Sequence, residues 1–204
     1  MAFWMVLSSV LAIGGIADDL TENKEVITRE ESPMRVLFNF EGDGRRWRVI
    51  DDGVMGGLSE GTWAVSQGLG VFSGMLSLEN NGGFSSVRSD GVGPSCAGVT
   101  SFLIRVKGDG RSYQFRVRDS MAFDGASYRM TFDTEAGVWQ EIVLPLEGFE
   151  ASFRGRVLGD YPALVGEKVT TVGFLLADKQ PGLFRLEVDW IKVRVRTEAD
   201  NVPE

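Results

Sequence analysis

From Met34 to Arg196, glycines divide the sequence into short segments in which apolar and polar residues alternate. The chain has 26 glycines among its 204 residues, and glycine at this frequency without a collagen repeat is typical of many tight turns. Alternation with a period of two is the pattern of a strand that buries one face. The sequence therefore predicts an all-β domain, folded as an antiparallel β-sandwich or jelly roll.

Ten candidate strands follow from this alternation. They are Arg35–Phe40, Arg46–Ile50, Gly70–Leu78, Phe84–Arg88, Val99–Lys107, Ser112–Arg118, Ser127–Asp133, Val138–Leu144, Val172–Ala177 and Leu183–Arg196. In the last of them the apolar alternation shifts by one residue after Trp190, which predicts a β-bulge near Trp190 and Ile191.

The strands Val99–Lys107 and Ser112–Arg118 are predicted to pair as a hairpin. A three-residue loop would place Val106 opposite Ser112, whereas a four-residue loop places Val106 opposite Tyr113 and keeps one face dry. The predicted buried face comprises Phe102, Ile104, Val106, Tyr113, Phe115 and Val117. The predicted exposed face comprises Arg105, Lys107, Gln114, Arg116 and Arg118, unless cross-strand acids such as Asp119, Asp133 or Glu141 neutralise its positive charge.

The composition excludes several classes of function. The chain contains no histidine, which removes Ser-His-Asp and Cys-His catalysis and histidine-ligated metals. Its single cysteine, Cys96, allows no internal disulfide and is interpreted as a small buried hydrophobe. The net charge of −8 gives no electrostatic support for nucleic-acid binding. No metal and no cofactor is predicted.

Residues 1–17 are predicted to form a signal-peptide-like segment. Their apolar run, from Phe3 to Ala17, is short for a membrane span, and Gly15 and Ala17 suit a signal peptidase, although no positive residue precedes the run. This favours export to the periplasm or outside the cell, with a cytoplasmic or membrane-anchored protein as the alternative. Residues 18–33 are predicted to be a polar linker, residues 34–196 the sandwich domain and residues 197–204 a tail.

Four glycine-rich segments stand out within the domain, and none has the spacing of a phosphate-binding loop. They are Asp51–Gly61 (DDGVMGGLSEG), Glu79–Arg88 (ENNGGFSSVR), Val106–Tyr113 (VKGDGRSY) and Phe153–Arg156 (FRGR). With Trp47, Phe72 and Gly74 they resemble the ordered motifs of the respiratory complex I intermediate-associated protein family, with Gly53 as one inserted residue. Further matches at Trp139, Leu144-Pro145, Phe149 and Gly182-x-Phe184-x-Leu186 extend the resemblance over about Val36 to Val195.

The resemblance implies a galactose-binding-like jelly roll that binds or scaffolds rather than catalyses. The implied partner is a protein, a partially assembled membrane complex, which in mitochondria is NADH:ubiquinone oxidoreductase. The alternative is a carbohydrate-binding module, with Trp63, Trp139 and Tyr161 as candidate platforms. The least favoured hypothesis is a glycan-acting enzyme that uses carboxylates from among Asp51, Asp52, Glu60, Asp109 and Asp119.

The candidate binding residues are polar side chains of these motifs and of the predicted hairpin. Asp52 and Ser59 either satisfy turn amides or contact a ligand, and the Asn80 and Asn81 amides either form a turn or bind sugar hydroxyls. Arginines beside glycines either brace loops or contact the ligand. The full set is Asp52, Asn80, Asn81, Arg88, Arg105, Lys107, Arg111, Arg116 and Arg118.

Overall fold

A computed structural model describes residues 33–41, 47–92, 96–122 and 125–196. These residues form thirteen strands, four short 3₁₀ helices and no α-helix. The strands are β1 (Met34–Phe38), β2 (Trp47–Asp51), β3 (Glu60–Ser66), β4 (Leu69–Leu76), β5 (Ser85–Ser89), β6 (Val99–Lys107), β7 (Ser112–Arg118), β8 (Ser127–Asp133), β9 (Trp139–Pro145), β10 (Glu150–Phe153), β11 (Arg156–Val157), β12 (Thr171–Leu176) and β13 (Gly182–Val195). The 3₁₀ helices are Asp52–Met55, Glu79–Asn81, Leu146–Gly148 and Gly166–Lys168.

The strands form two antiparallel sheets, which confirms the predicted all-β sandwich. Sheet A has the order β3-β4-β13-β6-β9, and β1 also pairs with β13. Sheet B has the order β11-β10-β8-β7-β12-β5-β2. Within the described part of the chain, no helix is long and apolar enough to cross a membrane.

The final strand bends as its sequence predicts. Val188 pairs with Val106 and Trp190 pairs with the adjacent Arg105, so Asp189 is the extra residue of a β-bulge. The bulge lies one residue before the predicted position. Residues before it pair with β4, and residues after it pair with β1, so one long strand organises both ends of sheet A.

The core lies between the facing sides of the two sheets. The six residues predicted to be buried on β6 and β7 are all 0% exposed: Phe102, Ile104, Val106, Tyr113, Phe115 and Val117. Phe102 contacts Phe115 with ring centroids 5.3 Å apart, and Phe115 contacts Phe174 at 5.4 Å. Cys96 is also buried, as predicted, and is a free thiol.

The predicted hairpin between β6 and β7 is wrong. β6 pairs with β13 and β9 in sheet A, whereas β7 pairs with β12 and β8 in sheet B. The segment Gly108–Arg111 therefore crosses from one sheet to the other. The apolar faces of β6 and β7 meet across the core, so the same six side chains are buried as in the predicted hairpin.

The crossing segment is held by side chains of the K-G-D-G-R-x-Y motif. Asp109 accepts hydrogen bonds from the Tyr113 hydroxyl at 3.1 Å and from the backbone N–H of Arg185 on β13 at 2.8 Å. Arg111 donates two hydrogen bonds to Asp178, at 2.7 and 2.9 Å, and others to the carbonyls of Gln180 and Leu183. These bonds fix β6 and β7 to opposite sheets.

Candidate functional site

The first motif segment is organised around the buried carboxylate of Asp52, which is 0% exposed. Its oxygens accept hydrogen bonds from the Ser59 N–H at 2.9 Å and from the Ser59 hydroxyl at 2.6 Å. They also accept from the backbone N–H groups of Gly83 at 2.6 Å and Phe84 at 3.2 Å. We call residues 52–59 the first loop and residues 79–84 the second loop, and Asp52 joins the two.

Glycines of both loops are required because they lie against this carboxylate. A Cβ atom at Gly57 would lie 2.4 Å from Asp52 Cγ, and one at Gly82 would lie 2.6 Å from Asp52 Oδ2. Burial alone would raise the pKa of Asp52, but the hydrogen bonds from Ser59, Gly83 and Phe84 together lower it. The carboxylate is thus ionised and enclosed, and it satisfies turn amides, which is one of the two roles that the sequence allows.

The first loop presents exposed apolar side chains. Val54 and Met55 in the first loop are 67% and 65% exposed, and Leu58 is also exposed. Ser59 accepts a hydrogen bond from the Ser77 N–H at 3.0 Å, which holds the first loop beside the end of β4. There, a surface groove of about 520 Å³ is lined by Met75, Leu76, Ser77, Leu78, Glu79, Pro181 and Gly182. We call Val54, Met55 and Leu58 the loop patch.

The second loop places Asn80 and Asn81 on the surface. Both have left-handed backbone angles, with φ values of 54° and 59°, which asparagine tolerates better than most residues. Both side chains are exposed. These residues therefore form the tight turn that the sequence suggested, in the loop that Asp52 joins to the first loop.

The exposed face predicted for the β6–β7 hairpin is divided between the two sheets. Arg105 and Lys107 lie on the outer face of sheet A, where Lys107 forms an ion pair with Glu187 at 2.7 Å and Arg105 with Asp189. Both cations also lie over the Trp139 ring, at 4.9 and 5.2 Å from its centroid. Acids and an aromatic ring therefore partner these two cations within the sheet.

Sheet B brings a different set of arginines together. In the strand register, Arg48 lies opposite Arg88, and Arg88 lies opposite Gly173. Gly173 in turn lies opposite Arg116, and Arg116 opposite Arg129, so the line crosses five consecutive strands. The side chains share the outer face because their neighbours in the chain, such as Val87, Phe115 and Val117, are buried in the core. We call Arg48, Arg88, Arg116 and Arg129 the arginine row.

Arg118 lies on the same face, two residues along β7 from Arg116. Of the candidate residues, Arg88, Arg116 and Arg118 are therefore neighbours, while Arg48 and Arg129 were missed. Each missed arginine lies between two inward-facing residues, so alternation marks it as outward-facing. Alternation cannot identify which strands are neighbours, so the sequence alone could not predict that these arginines form one row.

The arginines of the row repel one another. Burial, followed by the charges of Arg118, Arg129 and Arg88, lowers the pKa of Arg116 to about 10. Burial and the charges of Arg118 and Arg48 lower the pKa of Arg88 to about 10, against a smaller opposing effect of Asp90. Arg111, in contrast, has a raised pKa because it is hydrogen-bonded to Asp178, and it braces the inter-sheet crossing.

The candidate sugar platforms have other contacts. Trp63 stacks on Trp47 with centroids 4.6 Å apart and packs against the core. Tyr161 makes an edge contact with Tyr128. Trp139 lies beneath Arg105 and Lys107. The three aromatic side chains contact three different sets of residues, so they do not form one platform.

Comparison with known structures identifies the fold. The family 11 carbohydrate-binding module of the Clostridium thermocellum cellulosomal cellulase Lic26A-Cel5E superposes with a TM-score of 0.63. The match covers 83% of this chain and 98% of the module at 16% identity. The same module in complex with a β-1,3-1,4-mixed-linked tetrasaccharide gives a TM-score of 0.61, also at 16% identity. At this identity the likeness shows a shared jelly-roll fold.

Curated sequence relatives carry a different name. The mouse protein "Complex I intermediate-associated protein 30, mitochondrial" is 36% identical over 97 residues, which cover 46% of this chain and 30% of the mouse protein. The Drosophila melanogaster protein of the same name is 27% identical over 195 residues, covering 83% of this chain and 66% of the fly protein. The chain thus spans less than two thirds of these relatives.

Both relatives are named as mitochondrial, which does not agree with the predicted export. The signal-peptide prediction rests on residues 1–17, which lie outside the described residues, and no comparison supports it. The family described as complex I intermediate-associated protein 30 matches residues 36–188, which include all four glycine-rich motifs. The chain belongs to the complex I intermediate-associated protein 30 family.

Proposed function

We propose that this chain is a non-catalytic binding module that associates with a protein partner during assembly of a membrane complex. The family match over residues 36–188 carries the proposal, because curated relatives are named as associated with complex I intermediates. We further propose that the partner is such an intermediate of complex I. Carbohydrate binding is the less favoured alternative, because the neighbouring carbohydrate-binding modules share only the fold.

The loop patch supports association with a protein. Apolar side chains that remain exposed on a well-fixed surface mark interaction sites more often than side chains scattered singly do. Asp52 and Ser59 fix the backbone of the first loop, so Val54, Met55 and Leu58 are presented without a large ordering cost on binding. The candidate residues Asn80 and Asn81 lie in the adjoining turn and are proposed to form its polar rim.

Three of the five carboxylates considered for catalysis are engaged in structural contacts. Asp51 accepts hydrogen bonds from the Gly61 N–H at 2.8 Å and from the Ser85 hydroxyl at 2.5 Å. Asp52 is enclosed by the two loops, and Asp109 holds the crossing between the sheets. These contacts favour the binding proposal over a carboxylate-based enzyme.

We expect replacement of the loop patch to reduce partner capture. The full chain and a Val54→Ser/Met55→Ser variant would be used to capture proteins from membranes of the source organism, with identification of complex I subunits by mass spectrometry. Removing two apolar side chains from an interface is expected to reduce capture at least about tenfold. The matched control is Val138→Ser/Val143→Ser, because these valines are also exposed, at 45% and 48%, and lie on and beside β9, outside the loop patch.

Two results would contradict the proposal. Capture by the unmodified chain that contains no complex I subunit would refute the partner. Equal reductions in the loop variant and the β9 control would refute the loop patch as the contact surface.

The domain limits predicted from the sequence are also part of the proposal. We expect limited proteolysis of the full chain to leave a fragment that begins near Pro33 and ends near Arg196, because the composition changes at Asp18 and after Arg196. Protection of residues 18–33 from the protease, measured by mass spectrometry of the fragments, would place them inside the folded unit instead.

A further inference from the structure

The arginine row is a concentration of positive charge on a chain whose net charge is −8. The arginines at the two ends of the row form ion pairs with acids. Arg48 Nε lies 2.8 Å from Asp90 Oδ1, and Arg129 Nη2 lies 3.5 Å from Glu150 Oε2. In the middle, Arg116 donates hydrogen bonds to neutral groups, the Gln114 side-chain carbonyl at 2.9 Å and the Ser127 hydroxyl at 2.5 Å. The centre of the row therefore contains a half-buried guanidinium whose described hydrogen-bond partners are uncharged.

Arginines held together against their repulsion indicate a site for an anion. Burial is the main reason why the pKa of Arg116 and of Arg88 is lowered, and the charges of neighbouring arginines lower both further. Holding these guanidinium groups together therefore costs folding free energy. Clusters whose ionisation is perturbed in this way are concentrated at functional sites. A bound anion would remove the repulsion, and a guanidinium can bind a carboxylate through two hydrogen bonds.

A further feature of this face is a hydroxyl that could donate a hydrogen bond to such an anion. Gly173 lies between Arg88 and Arg116 in the register, and the β5 backbone approaches it so closely that a Cβ atom would lie 2.2 Å from the Val87 carbonyl oxygen. Thr171 pairs with Arg118 on the same face, and its hydroxyl is buried with no hydrogen-bond partner among the described residues. A buried hydroxyl without a partner is unusual and is explained if a ligand completes its hydrogen bonding.

The dimensions of the row suit an extended chain. The row crosses five strands, and neighbouring strands are about 4.8 Å apart, so it is about 19 Å long. An extended peptide of about six residues has this length, and its alternate side chains are about 6.7 Å apart on one side. Up to three carboxylates on one side of such a segment would therefore lie over the row.

We propose that the outer face of sheet B, centred on Arg116, binds an extended acidic segment of a protein partner. This inference rests on the proposed function for the partner being a protein, and it names a second contact surface, separate from the loop patch. Arg88, Arg116 and Arg118 were candidates from the sequence, and the structure adds Arg48 and Arg129 to them.

Other linear anions fit this face less well. Single-stranded nucleic acids and sugars bind surfaces that include aromatic platforms. None of the described residues that flank the row in the strand register is aromatic: Ile50, Ser86, Leu175, Gln114 and Thr131 lie on one side, and Thr171 and Arg118 on the other. A net charge of −8 also repels a long polyanion and an anionic membrane beyond the immediate contact. A short acidic segment would contact only the arginine row, where the local charge is positive.

The test uses the full chain and a synthetic peptide of alternating Glu and Ser, with a peptide of alternating Gln and Ser as the control ligand. We expect the Glu peptide to shift NMR resonances of β5, β7, β8 and β12, and added salt to weaken binding. Arg116→Gln should weaken it at least about tenfold, because a charge-assisted hydrogen bond is removed. Arg185→Gln is the matched control, because Arg185 is an exposed arginine on sheet A that forms an ion pair with Glu187, and it should leave the affinity unchanged.

Several outcomes would overturn this inference. These are no binding of the Glu peptide, equal binding of the Gln peptide, equal reductions in affinity for the Arg116 and Arg185 variants, or tighter binding of an oligonucleotide or of phosphatidylglycerol vesicles. Thermal unfolding of Arg116→Gln near that of the unmodified chain shows that a loss of affinity is not a loss of fold. If the Glu peptide does not bind while complex I subunits are still captured, the proposed function stands and this inference is wrong.

Discussion

Replacing Asp52 with Ala should lower the free energy of unfolding by about 3–5 kcal/mol. The carboxylate accepts four hydrogen bonds, from the N–H and hydroxyl of Ser59 and the N–H groups of Gly83 and Phe84. Without it, donors in both loops lose their acceptor in a site that is closed to water. Chemical denaturation of the full chain, followed by tryptophan fluorescence, would measure the decrease.

The control for Asp52 is Asp90, an exposed acid that forms an ion pair with Arg48. Asp90→Ala should cost less than about 1 kcal/mol, since exposed ion pairs contribute little. The decrease in unfolding free energy for Asp52→Asn should lie between those of the two Ala variants. The amide oxygen still accepts hydrogen bonds, but the NH₂ group faces other donors. If Asp52→Ala costs no more than Asp90→Ala, the joined loops are not held by this carboxylate.

The same carboxylate makes stability depend on pH. The pKa of Asp52 is lowered in the folded protein, so its contribution is present above the ordinary value of about 3.9. It is lost as the pH falls from about 3.9 through the lower folded-state pKa. The difference in unfolding free energy between the unmodified chain and Asp52→Asn should therefore shrink across that range, and a constant difference would contradict the assignment.

The sequence identified which side chains enter the core because alternation alone decides this. Phe102 and Phe115 were predicted to be buried with their alternate neighbours and are 0% exposed. The strand β3 was missed because only Gly61, Trp63 and Val65 alternate inward, and all three are half-buried at the edge of sheet A. An edge strand that buries few apolar side chains shows only weak alternation of apolar and polar residues.

Strand neighbours could not be predicted in the same way. Two apolar faces that follow each other in sequence can lie side by side in a hairpin or opposite each other across a sandwich, and both arrangements bury the same residues. The bonds of Asp109 to β13 and of Arg111 to Asp178 decide between them here, and neither contact follows from spacing. For this reason Arg116 and Arg118 were grouped with Arg105 instead of with Arg48 and Arg129.

Replacing Phe115 with Ala should also cost about 3–5 kcal/mol, because the ring is fully buried and leaves a cavity. Its neighbours come from both sheets: Phe174 in sheet B at 5.4 Å, and Phe102 in sheet A at 5.3 Å. The control on the other face of the same strand is Arg116→Gln. That variant should change stability by less than about 1 kcal/mol, since relief of like-charge repulsion offsets the hydrogen bonds that it removes.

A double-mutant cycle between Phe102 and Phe115 tests the arrangement of the sheets, because these two rings meet across the core. Their coupling energy should be about 0.5–1.5 kcal/mol beyond the sum of the two single-variant effects. Equal small decreases in stability at Phe115 and Arg116 would show that β7 buries its other face. A large decrease at Phe115 without coupling to Phe102 would show that β6 and β7 do not face each other between the sheets.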